Sequence, residues 1–184
     1  MTDSYRAKVL AAVTENGWEL RNASDELRND REIVLAAVTE SASALQYASD
    51  ELRNDREFVL AAVRKNCRAL PLVGEAFSND REIVLAAVEE DDQPINVAFR
   101  YASNELRGDF EITLAAVTKN GRALEHASEE LRRDRKIVLA AVKADGQALK
   151  YASHELQNDR EIVLAAVEQD GQALYHASKE LRND

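Results

Sequence analysis

A pattern of 25 residues recurs along this chain and limits its fold more than any other feature. Residues 134–158 read DRKIVLAAVKADGQALKYASHELQN, and the next unit reads DREIVLAAVEQDGQALYHASKELRN. A period of this length marks stacked supersecondary units, each too small to bury a core alone. Tyr5, Asp30, Asp55, Asp80, Asp109, Asp134 and Asp159 hold the same place in successive units. They set seven repeats at 5–29, 30–54, 55–79, 80–108, 109–133, 134–158 and 159–183, read as one domain over 1–184. Only the fourth, at 29 residues, breaks the period.

Within a unit the pattern predicts two helices. Asp134 can accept from the first free backbone N–H groups of the run Ile137, Val138, Leu139, Ala140, Ala141 and Val142, which is apolar nearly all round and so belongs to a buried helix. Gly146 follows where a left-handed residue would end that helix. Ala148, Leu149, Ala152 and Leu156 then fall at helical spacing, with Lys150, His154 and Gln157 elsewhere, which predicts an amphipathic outer helix ended by Asn158-Asp159. The alanine pairs and the cap signals outweigh the strand preference of Val and Ile. The expected class is all-α, an α-solenoid of seven two-helix repeats.

Composition narrows the partners. The chain carries 24 basic and 34 acidic residues, a net charge of −10, which disfavours a nucleic-acid backbone or an anionic membrane surface. Cys67 is the one cysteine and has no intrachain disulfide partner. No stretch has the length of a membrane span or the pattern of a cleaved leader, so a soluble cytoplasmic protein is expected.

Three repeats depart from the pattern. The first has Lys8 for isoleucine, Tyr5 for the cap aspartate and Glu19 for alanine, the polarity expected of an N-terminal capping unit, with Trp18 packed against it. In the third, Pro71 and Gly74 fall inside the outer helix, which should start late, kink or fray, while Phe77 takes the usual leucine place. The fourth lengthens its turn by four residues around Pro94, after Glu89, Glu90, Asp91 and Asp92. Such an insertion is either a tolerated surface loop or part of a binding face. The acidic run lacks the alternating oxygen ligands and turn glycine of a calcium loop, so it reads as solvated charge.

The columns carry no catalytic chemistry. Arg31, Arg56, Arg81, Arg135 and Arg160 follow the caps, and Glu26, Glu51, Glu105, Glu130, Glu155 and Glu180 precede by two a column of Arg28, Arg53, Arg107, Arg132 and Arg182. Ion-pair ladders along the edge are the expected use. Tyr47, Tyr101, His126, Tyr151 and His176 form a further column, whose rings should pack between repeats while their polar tips reach water or a partner. His126 and His176 are two repeats apart and cannot share a metal ion. No HExxH, paired-cysteine, glycine-rich phosphate or nucleophile-elbow motif occurs, so no catalytic residue, cofactor or metal is expected.

The unit DREIVLAAVxxxGxALxYASxELRND resembles the repeat of domain of unknown function family 4116, with VLAAV and ALxYASxEL as the specific parts. The resemblance covers essentially the whole chain. It implies no activity or cofactor and carries over no functional residue; it supports the repeat frame.

The functional expectation is a non-catalytic scaffold for a protein partner. Glu57, Arg64, Glu82, Glu89, Thr118 and Lys143 vary in charge on a fixed frame, and with Asp91, Asp92, Tyr101, His126, Tyr151 and His176 they are the candidate partner-binding residues. Asp184 stands at the next cap position, so the last repeat should leave a partly apolar face, met by further repeats, by a partner or by end-to-end self-association. The alternative is a small acidic inhibitor that occupies the basic, nucleic-acid-binding surface of a target protein.

Overall fold

A computed structural model describes residues 3–91 and 97–183, the side chain of Val97 excepted. Pro94 and Asp92 lie outside the described residues. The chain is an all-α repeat protein, divided into two compact units, Met1–Glu90 and Asp91–Asp184.

Each repeat opens with a long helix where the IVLAAV run predicts one. These helices are Asp3–Glu15, Arg31–Glu40, Arg56–Lys65 and Arg81–Glu90 in the first unit, and Phe110–Lys119, Arg135–Ala144 and Arg160–Gln169 in the second. The aspartate caps act as read. Asp134 accepts from the backbone N–H of Lys136 and Ile137 at 2.8 and 3.1 Å, and Asp30, Asp55, Asp80, Asp109 and Asp159 each cap their helix in the same way. Ile137, Val138, Ala141 and Val142 are buried, and the corresponding residues of the other internal repeats pack likewise.

The second limb is not the continuous amphipathic helix that the spacing predicts. It is a short 3₁₀ helix, such as Gly146–Tyr151, followed after a break by a single further turn, Leu156–Asn158. The break lies at Ala152-Ser153, where Ala152 is extended (φ −68°, ψ 158°) and Ser153 Oγ accepts from Leu156 N at 3.4 Å. Ser49, Ser103, Ser128 and Ser178 make the same bond to Leu52, Leu106, Leu131 and Leu181. A serine that caps a new turn stops the helix before it, because its hydroxyl takes the N–H that helix would have used.

The turn between the limbs also differs from expectation. No glycine of the chain takes a left-handed φ. The long helix ends instead at an extended residue, Asp145 at φ −150°, whose side chain accepts from Gln147 N at 2.9 Å to start the 3₁₀ segment. Glycine follows for lack of room: a Cβ on Gly121 or Gly146 would lie 2.2 or 2.4 Å from the carbonyl oxygen of Ala141 or Ala166 in the next repeat. The last turn of each of these long helices therefore rests directly on the preceding repeat's backbone.

Within each unit successive long helices pack on one another, and successive 3₁₀ segments do the same. One backbone hydrogen bond also joins four of the neighbouring pairs. Ser49 N donates to Arg28 O at 2.9 Å, Ser128 N to Arg107 O at 3.0 Å, Ser153 N to Arg132 O at 3.0 Å, and Ser178 N to Gln157 O at 2.9 Å.

Pro71 leaves this layout intact. Cys67–Leu72 is a 3₁₀ segment like its neighbours, and it ends one residue beyond the proline, so no continuing ladder is broken. Gly74 replaces the capping serine and makes no side-chain bond, while Phe77 is half-buried in the leucine place.

Candidate functional site

The long helices carry two exposed positions per repeat whose side chains vary. In the first unit Glu57, Arg64, Glu82 and Glu89 are exposed beside buried neighbours such as Val63 and Val88. Glu57, Arg64 and Glu82 form one charged cluster with Arg56: Arg56 meets Glu57 at 3.2 Å and Glu82 at 2.7 Å, and Arg64 lies 3.9 Å from Glu82. Glu89 stands at the far end of its helix.

Arg56 belongs to a ladder between repeats. Its Nε donates to Asp80 Oδ2 at 2.7 Å, as Arg6 donates to Asp30 at 2.8 Å, Arg31 to Asp55 at 2.7 Å and Arg135 to Asp159 at 3.2 Å. One aspartate thus caps its own helix and holds the preceding repeat. The guanidinium bond holds Asp30, Asp55 and Asp80 below the usual carboxylate range, and the Ile162 N–H is the main cause for Asp159.

The other charged columns do different work from the expected ladder. Glu26 accepts from Ser24, and Glu130 and Glu180 accept chiefly from their own backbone N–H and then from Ser128 and Ser178, all below the usual carboxylate range. They complete the cap of the single turn. Arg28 donates to Arg21 O at 2.6 Å, and Gln157, in the same column, donates to Leu149, Lys150 and Ala152 carbonyls at 3.1–3.3 Å. At these two positions the column closes the C-terminal end of the 3₁₀ segment, whereas Arg53 and Arg107 donate to Asp50 and Asn104.

In the second unit Asp91 differs from the solvated carboxylate that the acidic run predicts. It is buried, and its Oδ2 accepts from Ala98 N at 2.8 Å. The insertion follows a residue that still caps the next helical segment, and desolvating a carboxylate is tolerable where a backbone donor compensates. Thr118 and Lys143 are exposed near the ends of their helices, Thr118 Oγ1 donating to Leu114 O at 2.7 Å.

The aromatic and imidazole column ends the 3₁₀ segments at Tyr47, His126, Tyr151 and His176, and Tyr101 ends the short α-helix Val97–Tyr101 in their place. Tyr101 is exposed with the Arg100 guanidinium 5.8 Å from its ring, while His126, Tyr151 and His176 are half-buried. Tyr151 Oη donates to Glu125 Oε2 at 2.8 Å, a link from the sixth repeat back to the residue beside His126. His176 Nε2 lies 3.0 Å from Gln147 Oε1. Burial pulls the His126 imidazole below its ordinary range, which favours the neutral ring. Two open hollows lie beside the row. One, of about 330 Å³, includes Arg107, Glu125 and His126, and the other, of about 280 Å³, includes Arg132, Tyr151 and His154.

Sequence reasoning named Arg64, Glu89, Thr118 and Lys143 but missed three members of their column. The exposed residue one before the helix end is Thr14, Thr39, Arg64 and Glu89 in the first unit, then Thr118, Lys143 and Glu168 in the second. From the second repeat on, neutral, cationic, anionic is the order both times. Aligning repeats two to four with five to seven would have shown it.

Among the described residues no group of three or more His, Cys, Asp or Glu side chains could hold a metal ion, and no helix is long and apolar enough to cross a membrane.

A family model described as Domain of unknown function (DUF4116) matches residues 6–53, 30–78, 55–98, 80–132 and 134–182, spans of about two repeats each. No curated protein matches the chain, and no solved structure does. With capped helices, paired limbs and these tandem matches over nearly its whole length, the chain belongs to the DUF4116 family of helical repeats.

Proposed function

We propose that this protein is a non-catalytic scaffold that binds a protein partner through the exposed ends of its long helices, in the cytoplasm. The observation that carries the reading is the column Thr39, Arg64, Glu89 and its counterpart Thr118, Lys143, Glu168. The frame around these positions is nearly invariant, whereas they change sign in a set order, and specificity on a repeat surface comes from such variation. A partner matched to the order would present a neutral, an acidic and a basic group at successive repeat spacings.

The test exchanges the charges and leaves the frame alone. The variant Arg64→Glu, Glu89→Arg, Lys143→Glu, Glu168→Arg keeps the net charge and should keep the wild-type circular dichroism spectrum and melting midpoint. Capture from native lysate at two salt concentrations should recover a partner with wild type that the variant loses. A partner retained equally by both would refute this surface. Recovery of a basic nucleic-acid-binding protein, indifferent to the exchange and lost at high salt, would favour the inhibitor reading instead.

A further inference from the structure

We infer that the two hollows beside Arg107 and Arg132 form a binding site for one carboxylate, carried on a glutamate or aspartate side chain of a polypeptide. The site lies on the second limb and is independent of the helix-end column.

Two substitutions leave these guanidinium charges open. In the first unit the arginine of this column has an acid three residues before it: Arg28 lies 3.7 Å from Asp25, and Arg53 pairs with Asp50. In the fourth repeat that acid is replaced by Asn104, a neutral amide that accepts from Arg107 without cancelling its charge. In the fifth the acid is present as Glu129, but Arg133 stands where other repeats have asparagine or glycine and holds Glu129 in an ion pair. Arg132 is left with no side-chain partner among the described residues. All four arginines bury Nε without an acceptor, and of the four only Arg107 and Arg132 also lack a carboxylate.

The open space lies at these same residues. Arg107 and Arg132 line the hollow of about 330 Å³, Arg132 and Arg133 line that of about 280 Å³, and Glu129 borders both. Glu125, the other acid of the lining, already accepts from Tyr151. Three arginines thus meet two glutamates, which with neutral imidazoles leaves one positive charge in excess on a chain of net charge −10. One carboxylate balances that excess and matches the planar fork of a guanidinium. A phosphate monoester, with a charge of about −1.5 to −2, would exceed it.

The hollows also indicate what carries the carboxylate. Both are open, so a free small acid would keep much of its surface in water and gain a solvent-screened ion pair of little value. A polypeptide adds contact on either side of its acidic side chain, along the rings of His126 and Tyr151 that line the two hollows.

The frame accepts glutamine in place of these arginines, because Gln157 fills the same column in the sixth repeat. The full-length protein is titrated at constant ionic strength with an acetylated, amidated peptide holding one glutamate among alanines and glycines, and with its glutamine counterpart, while the arginine Nε–H resonances are followed by NMR. The glutamate peptide should bind saturably and shift the Arg107 and Arg132 signals, and the glutamine peptide should not. Arg132→Gln should weaken binding by on the order of 10-fold or more, as expected when a charge-assisted hydrogen bond is lost, whereas Arg21→Gln, at an exposed arginine outside the column, should leave it unchanged. Titration with the glutamate peptide that never saturates, or unchanged affinity in Arg132→Gln, would overturn the site. Acetate bound as tightly as the peptide would overturn the polypeptide source, and inorganic phosphate bound more tightly than either would overturn the choice of carboxylate. Should Arg132→Gln fail to fold, Asn104→Asp serves instead. By returning the missing acid to Arg107 it should weaken binding, and unchanged affinity would count against the site.

Discussion

Replacing Gly146 with alanine places a methyl group 2.4 Å from Ala166 O and 3.1 Å from the N and Cβ of Asp170. Those atoms are backbone, or one bond from it, so relief requires the whole end of helix Arg160–Gln169 to move. Overpacking of this kind costs about 1–3 kcal/mol. The lower end is set by Ala42 and Cys67, which show that the frame admits a side chain here, so that the penalty is that of displacing one packed helix. Gly171→Ala is the matched control. Nothing lies within 4 Å of its new methyl, and the φ is one that alanine adopts freely. Narrowing the unfolded ensemble should then stabilise the chain by about 0.4–1 kcal/mol. Urea denaturation followed by circular dichroism should show midpoints that move in opposite directions. If the two variants shift together, close approach of the next helix is not what selects glycine.

Three more perturbations address the caps. Gln157→Ala leaves the carbonyls of Leu149, Lys150 and Ala152 without their shared donor and should cost about 1–3 kcal/mol in a thermal melt, whereas Gln157→Arg should be nearly neutral. Asp91→Ala removes the acceptor of Ala98 N and should cost about 0.5–2 kcal/mol, with faster amide exchange at Ala98. Because the Arg56 guanidinium depresses the Asp80 carboxyl, Asp80 contributes stability that is fully present above its unfolded value of about 4 and is lost as pH falls through the lower folded value. Arg56→Gln should therefore flatten the acid limb of a stability profile below about pH 4, and an unchanged limb would refute the pairing.

The repeat frame was legible because it rests on local chemistry. An aspartate followed by IVLAAV states both where a helix starts and which residues it buries, and Asp30 through Asp159 do both. The broken second limb was harder to see, since Ala148, Leu149, Ala152 and Leu156 keep helical spacing whether or not the chain turns at Ser153. The signal was a serine followed two residues later by glutamate, which is a cap and not a helix interior. The role of Gly146 depends on Ala166, twenty residues on, and no local pattern reports a carbonyl from another repeat. Among candidate site residues, Glu57, Glu82 and Lys143 were predictable as exposed from helical phase alone. The burial of Asp91 and the link from Tyr151 to Glu125 were not, because each depends on which neighbour the backbone brings near.

The hydrogen bonds from Ser49, Ser128, Ser153 and Ser178 to the preceding repeat give the stack a mechanical character. Each of these four joints holds one backbone bond, so under tension they should yield joint by joint instead of all at once. A released repeat of 25 residues lengthens the chain by about 80–90 Å before the spacing it occupied is subtracted. The trace should show treads of even length for the 25-residue repeats held by these joints, so that the stack lengthens in steps.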